Sequence, residues 1–250
     1  MVDKDNNLKL EKKMKDKKKR ISPSCASCAV EISQRICFSD KGKGHKGCPT
    51  LTRKDVLAEA NKEYEAKEIN NFAYKASLQE AECYANRDQQ PYIMQPTKTR
   101  IVETCEFAMK MGYKRIGLAF CIGLTMEAKI VEEILTGYGF QVVSMCCKAG
   151  NSSKDIVGIS DDEKIYKGKD EAMCNPIFQA KALTHEQVDF NILLGLCVGH
   201  DSLFLKFTDI PTTVLAVKDR VTGHNPLAAI YHSQSYYRKI MHPSIKSLGK

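Results

Sequence analysis

No run in this chain of 250 residues approaches the eighteen or so consecutive apolar residues of a membrane span, so a membrane-spanning protein is excluded as an expectation. The first residues are charged where a secretory leader would be apolar, and the expected location is therefore the cytoplasm. The glycine-rich G-x-G-x-x-G fingerprint of dinucleotide binding is missing: Gly117 stands inside an apolar run and Gly123 just after it. There is no internal repeat. Among the early cysteines there is one C-x-x-C pair and no second, which departs from a zinc ribbon. Aromatic residues are sparse there too, Phe38 standing alone between the cysteines, which argues against base stacking on nucleic acid.

What is present is an ordinary globular composition, 43% hydrophobic and 27% charged, long enough to bury a sizeable core. The net charge is +8. Residues 1–20 hold nine Lys or Arg and four Asp or Glu, a net +5, so the rest of the chain is close to neutral. The run Lys9 to Arg20 has no apolar periodicity. It reads, with its neighbours over 1–24, as a disordered basic tail whose nucleic-acid contacts are non-specific. Eleven cysteines are many for a cytoplasmic protein. Reduced thiols there point to metal binding or thiol chemistry rather than a disulfide framework.

After the tail, residues 25–50 are rich in Gly and Lys and cannot build a core, so something else must order them. Thr52-Arg-Lys-Asp55 resembles a capping box, and apolar residues from Val56 to Ala76 recur at helical spacing. The span 51–96 is thus a helical linker region, closed by a loop from Arg87 to Pro96. From residue 97 onward the text alternates. Strands are expected at Arg115 to Cys121, Phe140 to Cys147, Asp189 to Cys197 and Thr213 to Lys218. Helices fall at Ile101 to Met109, at Thr125 to Leu135, from the Asn175-Pro176 cap to His185, and from about Asp201. A last helix opens at Pro226 and is expected to reach Ile240. Wholly apolar strands alternating with helices predict an α/β domain over 97–250, a Rossmann-like doubly wound, mostly parallel sheet.

Two groups of cysteines carry the chemistry. Cys25 and Cys28 form the C-x-x-C knuckle, and Cys37 and Cys48 follow with eight and ten residues between them. Four thiolates suit a tetrahedral zinc ion or a 4Fe–4S cluster. Cys48-Pro49 echoes the end of ferredoxin cluster motifs, while His45 in place of one thiolate would make a Cys₃His zinc site. The second group is Cys121, Cys146 and Cys147, Cys174 and Cys197, at or near the carboxyl ends of expected strands, where open parallel sheets bind ligands. Helix N-termini favour thiolates, so Cys121, Cys147, Cys174 and Cys197 are the candidate reactive group, able to hold a second cluster or metal or to pass sulfur. The competing reading is core packing, to which Cys83 and Cys105 are assigned. His200 is the candidate acid or base beside Asp201, which alternatively is only a helix N-cap. Lys148, Lys218, Asp219, Arg220 and Asn225, with His224 nearby, could grip an anionic ligand or pair on the surface.

The segments IGLAFCIGL, VVSMCCKAG, EAMCNPI, LLGLCVGHDSLF and TVLAVKDRVTGHNP, in that order, resemble the domain-of-unknown-function family numbered eighteen forty-seven. The resemblance runs from about Cys25 to Tyr237. It implies a cysteine-rich metal-binding protein, with Cys25, Cys28, Cys37 and Cys48 as the metal ligands, and it implies no reaction. The expectation is a metal-binding protein with iron–sulfur or sulfur redox chemistry at the sheet edge, served by a small molecule or a sulfur or electron donor. The alternatives are a zinc-stapled binding module and a nucleic-acid binder acting through the tail.

Overall fold

A computed structural model describes residues 21–243, so most of the expected basic tail, residues 1–20, lies outside the described residues. The chain divides into two units, Met1–Tyr74 and Lys75–Lys250. In the first, two short 3₁₀ turns at Cys25–Ser27 and Ile32–Gln34 precede α1 (Pro49–Thr52), α2 (Lys54–Glu63) and the start of α3 (Lys67–Glu82). The expected capping box at Thr52 does not form. Thr52 ends α1 with its hydroxyl donating to the Cys48 carbonyl at 2.9 Å, and Arg53 stands at the N-cap of α2 without a side-chain capping bond. The single helix expected across 56–76 is broken, because three successive i→i+3 bonds tighten Tyr64, Glu65 and Ala66 into a turn. Within 21–74 only Gly47 and Cys48 are buried.

The second unit continues with α4 (Arg100–Met111), β1 (Arg115–Phe120), α5 (Thr125–Gly137) and β2 (Gln141–Cys146). After a long irregular loop come α6 (Pro176–His185), β3 (Phe190–Leu196), α7 (His200–Phe207), β4 (Thr212–Val217) and α8 (Pro226–Tyr231). The C-terminal helix is much shorter than expected; turns follow Tyr231, and a 3₁₀ segment covers Arg238–Met241. The four strands form one sheet in the order β2-β1-β3-β4. All three pairings are parallel, so the sheet is wholly rather than mostly parallel among the described residues.

Alternation along the strands divides the core. Ile116, Leu118, Ile192 and Leu194 face α4 and α5 through Cys105, Ala108, Ala128, Val131 and Leu135. Ala119 and Leu193 face the other way, onto Ala180 and Leu183 of α6 and Phe204 of α7. Helices therefore cover both faces, which is why the strands read as apolar throughout. Each fully buried side chain such as Leu183 contributes about 1.5–3 kcal/mol of transfer free energy. Gly117 lies where β1 meets Asn191: a Cβ there would stand 2.3 Å from Asn191 Oδ1. Gly195 forms an irregularity in the β3–β4 register. Its φ of +65° suits glycine, and a Cβ would sit 2.0 Å from Leu124 Cδ1.

Asn175 caps α6 as read from the sequence, its Oδ1 accepting from the Phe178 N–H at 2.9 Å with Pro176 in the first turn. The N-cap of α7 is Gly199, not Asp201. No helix among the described residues is long and apolar enough to cross a membrane.

Candidate functional site: a row of cysteines at the carboxyl edge of the sheet

The sheet grows from β1 to β2 on one side and then resumes at β3 on the other, so the loops leaving β1 and β3 diverge. Cys121 follows β1, its N–H donating to the Leu194 carbonyl of β3 at 3.1 Å. Cys147 follows β2, its N–H donating to the Phe120 carbonyl at 2.9 Å. Both thiols are therefore held by the ladder just beyond the strand ends. Cys174 arrives by another route. The Asn175 N–H donates to the Cys147 carbonyl at 2.8 Å, which draws the start of α6 onto the end of β2. Gln179, fully buried on the same helix, fastens it there. Its Nε2 donates to the carbonyls of Phe120 (3.2 Å) and Met145 (2.7 Å). The Gln179 Oε1 has no partner.

The result is a row of three sulfurs packed together, in which the Cys147 thiol interacts with both Cys121 and Cys174. The proton stays on Cys147. Its pKa is raised because Cys121 and Cys174 both draw on that proton and because burial disfavours its thiolate; the Ile122 N–H, 3.4 Å from its sulfur, works weakly the other way. Cys121 moves down, to about 5: the Cys147 hydrogen bond leads, then the Gly123 N–H and the Lys218 ammonium, against burial. Cys174 moves down to about 6, again led by Cys147, with Lys148 and His200 assisting against burial and against the charge of Cys121. A single S–H cannot donate in two directions at once, so the row titrates as a unit.

Cys121 and Cys147 are buried, at 8% and 2% exposure. Cys174 opens onto a cavity of about 380 Å³. Lys148, Cys197, His200 and Arg220 share its lining, with an apolar wall that includes Ile159, Ile165, Met173 and Leu203. The loop between β2 and α6 supplies part of that wall and is pinned by the Lys154–Glu171 ion pair at 2.8 Å. Cys197 is in the cavity but outside the row; its sulfur accepts from the Arg220 guanidinium at 3.1 Å.

The remaining residues singled out from the sequence have other partners. Asp201 is not in the cavity lining, and its Oδ1 accepts from the neighbouring Ser202 N–H at 2.7 Å. Asp219 folds its own loop, accepting from the N–H groups of Val221 and Thr222, both at 3.0 Å. The Thr222 side chain, followed by these N–H groups, holds its carboxyl below the usual range. The Asp219 N–H donates to His224 Nδ1 at 3.1 Å. Asn225 is the N-cap of α8 without a side-chain bond. Lys218 stands beside Cys121 rather than in the cavity. The Cys146 sulfur accepts from the Lys148 N–H at 3.5 Å, outside the row. Cys83 and Cys105 are buried with thiols pushed up by burial, Cys105 to about 11, which suits packing.

In the first unit, Cys25, Cys28, Cys37 and Cys48 line one cavity of about 110 Å³ together with His45. The Gly47 N–H donates to His45 Nδ1 at 3.0 Å, leaving the ring proton on Nε2, and that atom is buried with no partner. Arg35 braces the knuckle by donating to the carbonyls of Val30 (2.8 Å) and Cys28 (3.2 Å). Among the described residues no group of three or more His, Cys, Asp or Glu side chains is arranged to hold a metal ion. The four thiols share a cavity without converging to ligand distance.

A family model described as "Protein of unknown function (DUF1847)" matches residues 48–215, a narrower span than the motifs suggest. It takes in Cys48 and the whole cysteine row, and it leaves out Cys25, Cys28 and Cys37. An uncharacterised protein of Methanocaldococcus jannaschii is 39% identical over 217 residues, covering 87% of this chain and 97% of that protein.

Proposed function

We propose that this chain, which belongs to the DUF1847 family, carries out thiol-based sulfur chemistry at Cys174, backed by Cys147 and Cys121. One observation carries the reading: three cysteines, one following β1 and two at opposite ends of the β2–α6 loop, pack into a row, and one end of the row opens to a cavity. The strand order, with its reversal between β1 and β3, supports a Rossmann-like doubly wound fold, in which ligands lie beyond the carboxyl ends at the switch point.

The Cys174 thiolate attacks one sulfur of a disulfide RS–SR. The S–S bond breaks, a mixed disulfide forms at Cys174, and one RS⁻ leaves and takes a proton. Cys147 then gives up its proton and attacks the Cys174 sulfur. A Cys147–Cys174 disulfide forms and the second RS⁻ departs. Two cysteines lose two electrons and the substrate gains them. The test is peptide mapping after brief treatment with hydroxyethyl disulfide. The expected product is the Cys147–Cys174 bridge, replaced in Cys147→Ala by a lasting mixed disulfide at Cys174. An unmodified Cys174, or a mixed disulfide that persists in the wild type, refutes the reading.

A second reading belongs to the first unit, where all four thiols and an unpartnered His45 Nε2 line one cavity in a segment with almost no core. Cys25, Cys28, Cys37 and Cys48 would hold zinc or a 4Fe–4S cluster after a small closure, and the binding energy would fold the segment. His45 enters this site as a hydrogen-bond donor to a thiolate, since its Nδ1 is already taken by Gly47. That favours four cysteine ligands over Cys₃His.

A further inference from the structure

The cavity in front of Cys174 carries more cationic charge than its neighbours neutralise. Lys154 is matched by Glu171 at 2.8 Å. Lys148 and Arg220 are not matched in this way: the Cys174 thiolate, near Lys148, offsets one of their two charges and leaves the other. The Lys148 ammonium donates to the Ala172 carbonyl, a neutral acceptor. Among the described residues Arg220 reaches only the Cys197 sulfur, at 3.1 Å. Among the described residues neither makes an ion pair with a carboxylate. His200 faces the same space from the first turn of α7. Asn175 and Pro176 also line the cavity, and the rest of the wall is apolar: Val157, Ile159, Ile165, Met173, Ile177 and Leu203.

A guanidinium resting on a sulfur and an ammonium resting on a carbonyl are placed to exchange those weak partners for an anion. Arg presents a fork that matches a carboxylate or phosphate, and the apolar wall favours a ligand with a hydrocarbon body. The volume, about 380 Å³, suits a small molecule and not a peptide segment.

Building on the reading of Cys174 as the reacting thiol, we propose that the cavity takes a small anionic compound with an electrophilic sulfur. Lys148 and Arg220 hold its negative group, and its sulfur is presented to Cys174. The proposal reverses the ordinary preference of a thiolate. A bare thiolate repels an anionic disulfide and attracts a cationic one, so the charge dependence of the rate reports the cavity and not the sulfur.

The experiment compares three disulfides of similar size on the full-length protein: dithiodiglycolate (anionic), hydroxyethyl disulfide (neutral) and cystamine (cationic). The rate of Cys174 modification is read by peptide mass spectrometry. At low salt the anionic reagent is expected to react on the order of tenfold faster than the cationic one, and the ratio should shrink in 1 M salt, where the screening length falls to about 3 Å. Arg220→Gln and Lys148→Met should each lower the ratio of anionic to neutral rates. Circular dichroism establishes that each variant is folded. Cystamine reacting fastest, or a ratio that neither variant changes, overturns the proposal and leaves the thiol centre standing. Failure of Cys174 to react with any of the three removes both.

Discussion

A lowered thiol pKa has a signature that mere exposure cannot imitate. Cys174 is drawn from 9.0 to about 6. At pH 6 about half of it is thiolate, against roughly one part in a thousand of an ordinary thiol, an advantage of about 500-fold. The same stabilisation makes the sulfur a poorer nucleophile. With a Brønsted coefficient of about 0.4–0.5, the difference between the two pKa values costs roughly 15–30-fold in intrinsic reactivity. The two effects together give a rate about 20-fold above the reference thiol at pH 6 and about fourfold above it at pH 7. The curves cross near pH 7.6, and at pH 9 Cys174 is about tenfold slower than the reference. The assay is a short iodoacetamide pulse across that range, quantified on the peptide holding Cys174, with a simple alkyl thiol run alongside. Restricted access through the cavity would lower the whole curve without moving its inflection. Labelling that keeps rising tenfold per pH unit through pH 8 refutes the reasoning, because the row would then not be stabilising the anion.

Three further outcomes follow from the same geometry. Cys121→Ala should move the Cys174 labelling curve down by about one pH unit and Cys147→Ala should move it up by a similar amount; the first removes a nearby negative charge and frees the Cys147 proton, while the second removes the donor, and shifts in the same direction would contradict the row. Gly195→Val should destabilise the protein by about 2 kcal/mol or more, since it forces a β-branched residue into positive φ against Leu124; an unchanged urea midpoint would show that the irregularity in β3 is not needed. Cys25→Ser and Cys48→Ser should each abolish metal bound by protein purified without oxygen, with brown colour, iron and acid-labile sulfide marking a cluster and one colourless zinc marking the alternative; unchanged metal content in both ends the second reading.

The sheet was legible because buried parallel strands leave a strong trace. Runs such as IGLAF and ILLGL are apolar on both faces, and Asn175-Pro176 announces a helix start with a mechanism. The break at Tyr64–Ala66 was not legible, since solvent-facing helices with no core partner are decided by small local terms. The site was visible in part. Cysteines at strand ends pointed to the carboxyl edge, but only strand order and loop path decide which of them meet. Cys174 joins because Asn175 bonds to Cys147, and Cys197 stays outside because its loop turns toward Arg220. Gln179 was missed altogether. Its trace is a polar residue at a core-facing position of α6, which periodicity records as noise unless its burial is known.

The order of the three thiols also has a kinetic meaning under the proposed reaction. Before substrate arrives, the two neighbouring thiolates hold the proton on Cys147, and that keeps the middle sulfur unreactive. Attack by Cys174 turns one of those thiolates into a neutral disulfide sulfur. The hydrogen bond and the negative charge that held the proton on that side weaken together. Cys121 remains, stabilised by the Gly123 N–H and Lys218, and is the acceptor in contact to which the Cys147 proton can pass. Cys147 thus becomes a nucleophile only once there is a mixed disulfide for it to resolve. In a pair of cysteines the resolving thiol has to pass its proton to water, another base or the departing thiolate. The third sulfur, which reads as redundant in a two-electron reaction, supplies the proton relay.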